Sequence, residues 1–138
     1  MLCIEMSTGA FIDSCSSCTA LVSGSDAGPV PDDEAMGLAL AEARAAPEHG
    51  DVPVGAVALV AGEVVAADHN RREELGDPTA HAELLVLRAA AAAAGGWRLG
   101  DVTLVVTLEP CAMCAGAMLA ARVARVVFGA ANTDNGAC

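Results

Sequence analysis

At 138 residues the chain can build one domain around one core, and it is too short for two. Its formal net charge of −11 leaves no basic footprint of the kind nucleic-acid binders carry, although every base is an arginine, a residue suited to phosphate. No apolar run approaches the ~20 residues of a bilayer span and the N-terminus lacks a basic leader start, so a soluble, cytoplasmic protein with no membrane contact is expected.

Residues 1–31 are rich in Ser, Gly and Thr, lack periodicity and close on Pro29 and Pro31. They read as a disordered extension ahead of a domain over 32–138. DDEAMGLALAEARAA then predicts an amphipathic helix with Asp32 or Asp33 as N-cap and Pro47 beyond its end. In VPVGAVALVAGEVVAADHN two β-branched runs flank Ala61-Gly62, which predicts a hairpin of 54–60 with 63–68. DPTAHAELLVLRAAAAAAGG opens on Asp77-Pro78, an N-cap and first-turn pair, and ends at Gly95-Gly96, as a helix would. VTLVVT (102–107) reads as a buried strand, Cys111 to about Ala121 as a helix, and ARVVFGA as a last strand. The order is α-β-β-α-β-α-β, and its closing β-α-β favours a parallel pair with a right-handed crossover.

The chemistry concentrates in TLEPCAMC, residues 107–114. Pro110 suits the first turn of a helix, so Cys111 and Cys114 fall three apart on one face, where the helix dipole would favour thiolate. Alone, a CxxC in an intracellular chain is a redox pair or half of a structural zinc site. HAE at 81–83 changes that balance. His81 with Cys111 and Cys114 makes three ligands and leaves a fourth position for water, the pattern of a catalytic zinc. Glu83, two residues from His81, is free to move that water's proton, and zinc lowers the water's pKa toward neutrality. Cys15-Ser16-Ser17-Cys18 has no flanking element or nearby histidine and reads as functionless apart from adventitious metal or oxidation. Cys3 and Cys138 read as free thiols, and His49 and His69 as solvated or structural.

H-x-E followed by P-C-x-x-C is the signature of the zinc nucleobase deaminases. With VPVGAV (52–57), HNR (69–71), DPTAHAE (77–83), TLEPCAMCAGAM (107–118) and RVVFGA (125–130), the chain resembles the bacterial tRNA-specific adenosine deaminases, the TadA family, over about residues 32–131. The resemblance implies a three-layer, cytidine deaminase-like α/β fold with a mixed central sheet of about four strands flanked by helices. It implies a homodimer with one zinc ion per subunit, acting on the tRNA anticodon loop. The implied reaction is hydrolytic deamination of adenosine to inosine at wobble position 34. His81, Cys111 and Cys114 would be the zinc ligands and Glu83 the proton shuttle. Asn70 would hydrogen-bond the purine, and Val52 would line the base pocket.

Family members continue beyond ANTDNGAC with about another strand and a C-terminal helical region, and usually carry a lysine near position 134. The strand at 125–129 is accordingly expected to present an open apolar edge, as in a C-terminally truncated relative. The alternatives are a deaminase of a free nucleobase or nucleoside (guanine, cytosine or adenine) and an inactive zinc-binding fragment. Arg71, Arg72, Arg122 and Arg125 are candidates for phosphate contact.

Overall fold

A computed structural model describes residues 29–137 and, along the backbone alone, residues 2–5. Helix α1 spans Asp32–Ala43. Its N-cap is Pro31, not an aspartate, and no side chain caps it. Asp32 instead pairs with Arg125, whose Nη1 lies 2.8 Å from Oδ1, while Asp32, Asp33 and Glu34 together place negative charge in the first turn. Ala35, Ala39 and Ala43 are buried, one helical turn apart. This stripe lies so close to the sheet that a Cβ on Gly55 would come within 2.1 Å of the Ala39 carbonyl oxygen. A 3₁₀ turn, Ala46–His49, ends at Gly50 with φ of 82°.

Strands β2 (Gly55–Val60) and β3 (Glu63–His69) form the expected hairpin. Ala61 and Gly62 both take positive φ, 51° and 82°, the backbone of a tight turn whose twist matches the flanking strands. A short helix α2 (Arg72–Leu75) follows. Helix α3 spans Ala82–Ala94, starting later than Asp77-Pro78 suggested. The Asp77 Oδ1 atom accepts from the Thr79 backbone N–H (2.8 Å) and hydroxyl (2.7 Å). That closes a turn over 77–80 and leaves His81, with extended backbone, as the N-cap of the helix.

Strand β4 (Val102–Leu108), helix α4 (Ala112–Ala121) and strand β5 (Arg125–Ala130) make a parallel β-α-β unit. Leu2–Glu5 form a further strand, β1, antiparallel to β5 with Leu2 opposite Phe128. The sheet order is β1-β5-β4-β2-β3. The outer edge of β5 is thus covered, which corrects the expectation of an open apolar edge. The four expected strands are all present, within the three-layer α/β arrangement. Of the stretch 1–31 expected to be disordered, residues 1 and 6–28 lie outside the described residues.

Alternation along the strands separates two cores. Ala56, Ala58, Leu104, Val106, Val126 and Phe128 face α3 and α4, meeting Val86, Leu87, Ala90 and Met118. Val57, Leu59, Val105 and Val127 face the alanines of α1. With large aromatics nearly absent, close backbone approach at alanine and glycine fills the space that rings would otherwise occupy. No helix among the described residues is long and apolar enough to cross a membrane.

Candidate metal centre and active-site cavity

The site opens where β4 ends and β2 begins, at the N-termini of α3 and α4. His81 and Cys111 occupy equivalent positions as the N-caps of these helices, each with extended backbone (ψ 147° and 169°). Each carbonyl accepts the first helical bond, from Leu85 at 3.1 Å and from Ala115 at 2.9 Å. Cys114 follows one turn into α4 and is fully buried. His81 and the cysteine pair therefore sit slightly earlier in their helices than the sequence suggested, with Pro110 before the cap rather than inside the first turn.

Cys111 Sγ lies 3.7 Å from Cys114 Sγ, and the two sulfurs lie 3.8 and 3.6 Å from His81 Nδ1. Ordinary Zn–S and Zn–N bond lengths in a tetrahedron would separate two sulfurs by about 3.8 Å and sulfur from nitrogen by about 3.6 Å. The donor triangle therefore has the size a zinc ion requires. Its electrostatics point the same way. Burial pushes the Cys114 thiol far up, and the Glu83 charge and Cys111 push it further. So disfavoured as a thiolate, Cys114 could serve as one beside the Glu83 carboxylate only with a cation bound between them.

Glu83, the second residue of α3, is only 4% exposed. Burial raises its carboxyl above the usual range, opposed by its own backbone N–H, the His81 charge and a hydrogen bond from Cys114. Beside these groups lies a cavity of about 420 Å³ lined by Val52, Val54, Asn70, Arg72, His81, Glu83, Leu108, Glu109, Cys111, Ala112, Met113, Asn132 and Asn135. Asn70 is buried and holds the cavity wall together. Its Nδ2 donates to the Val52 carbonyl (3.1 Å), and its Oδ1 accepts from the Ala82 N–H (2.9 Å). One amide N–H and one lone pair are left over.

All six residues singled out from the sequence thus border one cavity or its metal triangle. The sequence reading missed Glu109, whose buried carboxylate accepts the Asn132 N–H at 2.8 Å. That bond folds residues 132–137 over the site, assisted by the Ala137 N–H donating to the Pro110 carbonyl at 3.1 Å. No local pattern announces such a contact. Of the four candidate arginines, Arg71 is tied to Glu74 and Arg125 to Asp32, whereas Arg122 is exposed and exposed Arg72 borders the cavity. Cys15, Cys18 and Cys138 lie outside the described residues.

Residues 29–130 match the family model described as the cytidine and deoxycytidylate deaminase zinc-binding region. The chain belongs to the cytidine and deoxycytidylate deaminase family. Within that family it is similar to the tRNA-specific adenosine deaminase of Bacillus subtilis, 52% identical over 101 residues that make up 73% of this chain and 63% of that protein. The tRNA-specific adenosine deaminase of Agrobacterium fabrum is 51% identical over 102 residues, 74% of this chain and 67% of that protein. The chain thus spans less than two thirds of the length of the Bacillus relative. Among solved structures, one from a study of A-to-I editing by tRNA:A34 deaminases superposes with a TM-score of 0.74 at 50% identity, covering 76% of this chain and 81% of that one. Bacillus subtilis guanine deaminase superposes with a TM-score of 0.70 at 35% identity, covering 74% of this chain and 66% of that one. The family is zinc-binding, and the Cys₂His donor set fits that metal.

Proposed function

We propose that this chain hydrolytically deaminates adenosine to inosine at wobble position 34 of tRNA. The observation that carries the reading is the zinc-sized triangle of His81, Cys111 and Cys114 with buried Glu83 beside it, opening onto one cavity. The choice of tRNA as substrate rests on the likeness to the Bacillus and Agrobacterium tRNA-specific adenosine deaminases.

His81, Cys111 and Cys114 would hold the ion. When bound, zinc supplies Lewis acidity that brings the pKa of water toward neutrality. Glu83 takes one proton from the attacking water and gives it to N1 of the adenine as the bond to C6 forms. It then takes the remaining hydroxyl proton and passes it to the C6 amino group, which leaves as ammonia as the C6–N bond breaks and the C6 carbonyl forms. Asn70 offers its spare amide N–H and lone pair to the purine edge, while Val52 and Val54 flank the base. Arg72, at the rim, suits a backbone phosphate. The buried surroundings of Glu83 keep bulk water from short-circuiting these transfers.

An anticodon stem-loop bearing a wobble adenosine, incubated with zinc-loaded protein and digested to nucleosides, should yield inosine. Glu83→Ala should retain zinc and lose turnover by at least ~10²-fold, the scale of general acid–base catalysis. Equal inosine from both proteins would remove Glu83 from its role. No inosine from the wild type would remove the tRNA reading.

A free nucleobase as substrate is favoured by two observations, the likeness to guanine deaminase and the net charge of −11. Guanine, adenine and cytosine tested beside the stem-loop separate the two readings. A homodimer is part of the proposal. Its candidate face is α4, where Leu119 is 64% exposed, close to an apolar groove shared with α3.

A further inference from the structure

A second cluster of metal-ligating side chains lies outside the cavity, and it shares no residue with the Cys₂His triangle. His49 ends the 3₁₀ turn, His69 ends β3 and Glu74 lies on α2. One donor atom from each falls within 4.8 Å of the others. The two imidazoles meet through Nε2, 3.3 Å apart, with ring centroids at 5.3 Å. The His49 Nε2 atom lies 3.5 Å from Glu74 Oε2.

The opposite edges of both rings decide what Nε2 can be. The His49 Nδ1 atom lies 3.2 Å from Asp51 Oδ2, and His69 Nδ1 lies 3.0 Å from Glu42 Oε2. A carboxylate only accepts, so each Nδ1 carries the proton that it donates. In the neutral tautomer both Nε2 lone pairs then point into the 3.3 Å gap, where they repel unless something positive lies between them. Two imidazole nitrogens on one tetrahedral zinc are about 3.3–3.4 Å apart, given ordinary Zn–N bonds. Histidine ligands whose far nitrogen donates to a carboxylate are the arrangement that fixes tautomer and ring orientation in zinc sites. Here both histidines have it.

The surrounding charge also invites a cation. Glu42, Asp51, Asp68 and Glu74 surround the pair, and among the described residues Arg71 is the one arginine paired with them. Arg71 competes for Glu74, its Nε lying 2.6 Å from Oε2. It can release that oxygen and keep Oε1 (3.2 Å) and Asp68 Oδ2 (3.8 Å). His49 and His69 are partly exposed, so an ion has a way in.

We propose that His49, His69 and Glu74 form a second zinc-class site, with Asp51 and Glu42 as positioning residues for its imidazoles. Binding there ties the turn after α1, the end of β3 and α2 into one unit. Val52 and Arg72, which border the cavity, belong to the segments so joined. The inference is independent of the reaction proposed above.

The test uses the full chain with Cys3, Cys15, Cys18 and Cys138 changed to Ser, so that no thiol beyond the Cys₂His triangle can bind metal. Metal-stripped protein is titrated with Co²⁺ and, separately, loaded with Zn²⁺ and assayed for metal content after buffer exchange. Two equivalents are expected. One should bring thiolate-to-cobalt charge-transfer absorption and the other only weak d–d bands. His49→Gln and His69→Gln should each lose the second equivalent and keep the charge-transfer band, which shows the variant is folded. Glu42→Gln should weaken the second equivalent about 10–100-fold, as expected for loss of a carboxylate behind a metal-bound imidazole. Saturation at one equivalent in the parent protein, or two equivalents in either histidine variant, would overturn the proposal. The first outcome would assign the gap to a shared proton.

Discussion

Ala61 holds a Cβ at φ of 51°, in a region where an L side chain crowds the following carbonyl oxygen. The hairpin tolerates it because Gly62 supplies the other positive φ and Val30 N–H bonds to the Gly62 carbonyl at 2.9 Å. Ala61→Asn should stabilise the protein by about 0.5–1 kcal/mol, since Asn-Gly is the preferred pair for this turn. Urea unfolding with an unchanged m-value is the check, and a destabilised variant would mean that the turn is not strained. At this scale the sequence was most legible at the metal triangle. Spacing alone put Cys111 and Cys114 on one helical turn, and H-x-E put a histidine and a carboxylate at the start of another. What could not be read was degree of burial. The same helix end that should favour a thiolate at Cys114 is sealed from water, and burial pushes that thiol up.

Between elements, the sequence placed α1, the hairpin, β4, α4 and β5 within a few residues, because their hydrophobic periods are local properties. The start of α3 was misplaced because Asp77-Pro78 fits two structures equally, a helix cap and the turn that Thr79 closes. Helix α2 went unnoticed for a different reason. At four residues it has no period, and its cap comes from outside. The Asp51 carboxylate accepts the N–H groups of Arg72 (2.8 Å), Glu73 (3.1 Å) and Glu74 (3.4 Å). Burial alone would raise the Asp51 carboxyl. The bonds from Glu73, His49, Glu74 and Arg72 together outweigh that and leave it lowered. A lowered folded pKa means stability that is present above the ordinary carboxylate range and lost as pH falls through the folded value. Asp51→Asn should therefore melt a few degrees lower than wild type between pH 6 and 8. That gap should begin to narrow as pH falls below about 3.8, the ordinary value for this aspartate, and close once pH lies below the lowered folded value. Thermal melts across pH report it, and a gap that widens in acid would reverse the assignment.

For the molecule as a whole, the layered fold was readable and the far edge of its sheet was not. LCIE is too short to announce a strand, and its partner β5 lies more than a hundred residues on. Likewise His49 and His69 are unremarkable in sequence and meet only because β2 and β3 fold back beside the turn after α1. On the opposite flank, Leu119 and Met113 of α4 remain exposed. If that face joins two copies, Leu119→Asp should shift sedimentation from dimer to monomer while leaving zinc content at the Cys₂His triangle unchanged. A wild-type monomer at micromolar concentration would remove the dimer from the proposal.

His81 and Cys111 sit on caps of different helices, and β4 delivers one of them. A one-residue slip of β4 against β2 would turn every side chain of that strand to the other layer and carry the Glu109-Pro110-Cys111 corner out of line with His81. Only the correct pairing brings two sulfurs and an imidazole nitrogen within reach of a single ion. Loading with metal thus reads out the register of a sheet buried on both faces, where a slipped strand would still meet apolar neighbours. Metal held at the Cys₂His triangle, told apart from the second site by thiolate-to-cobalt charge transfer, therefore reports that the central strands are in register.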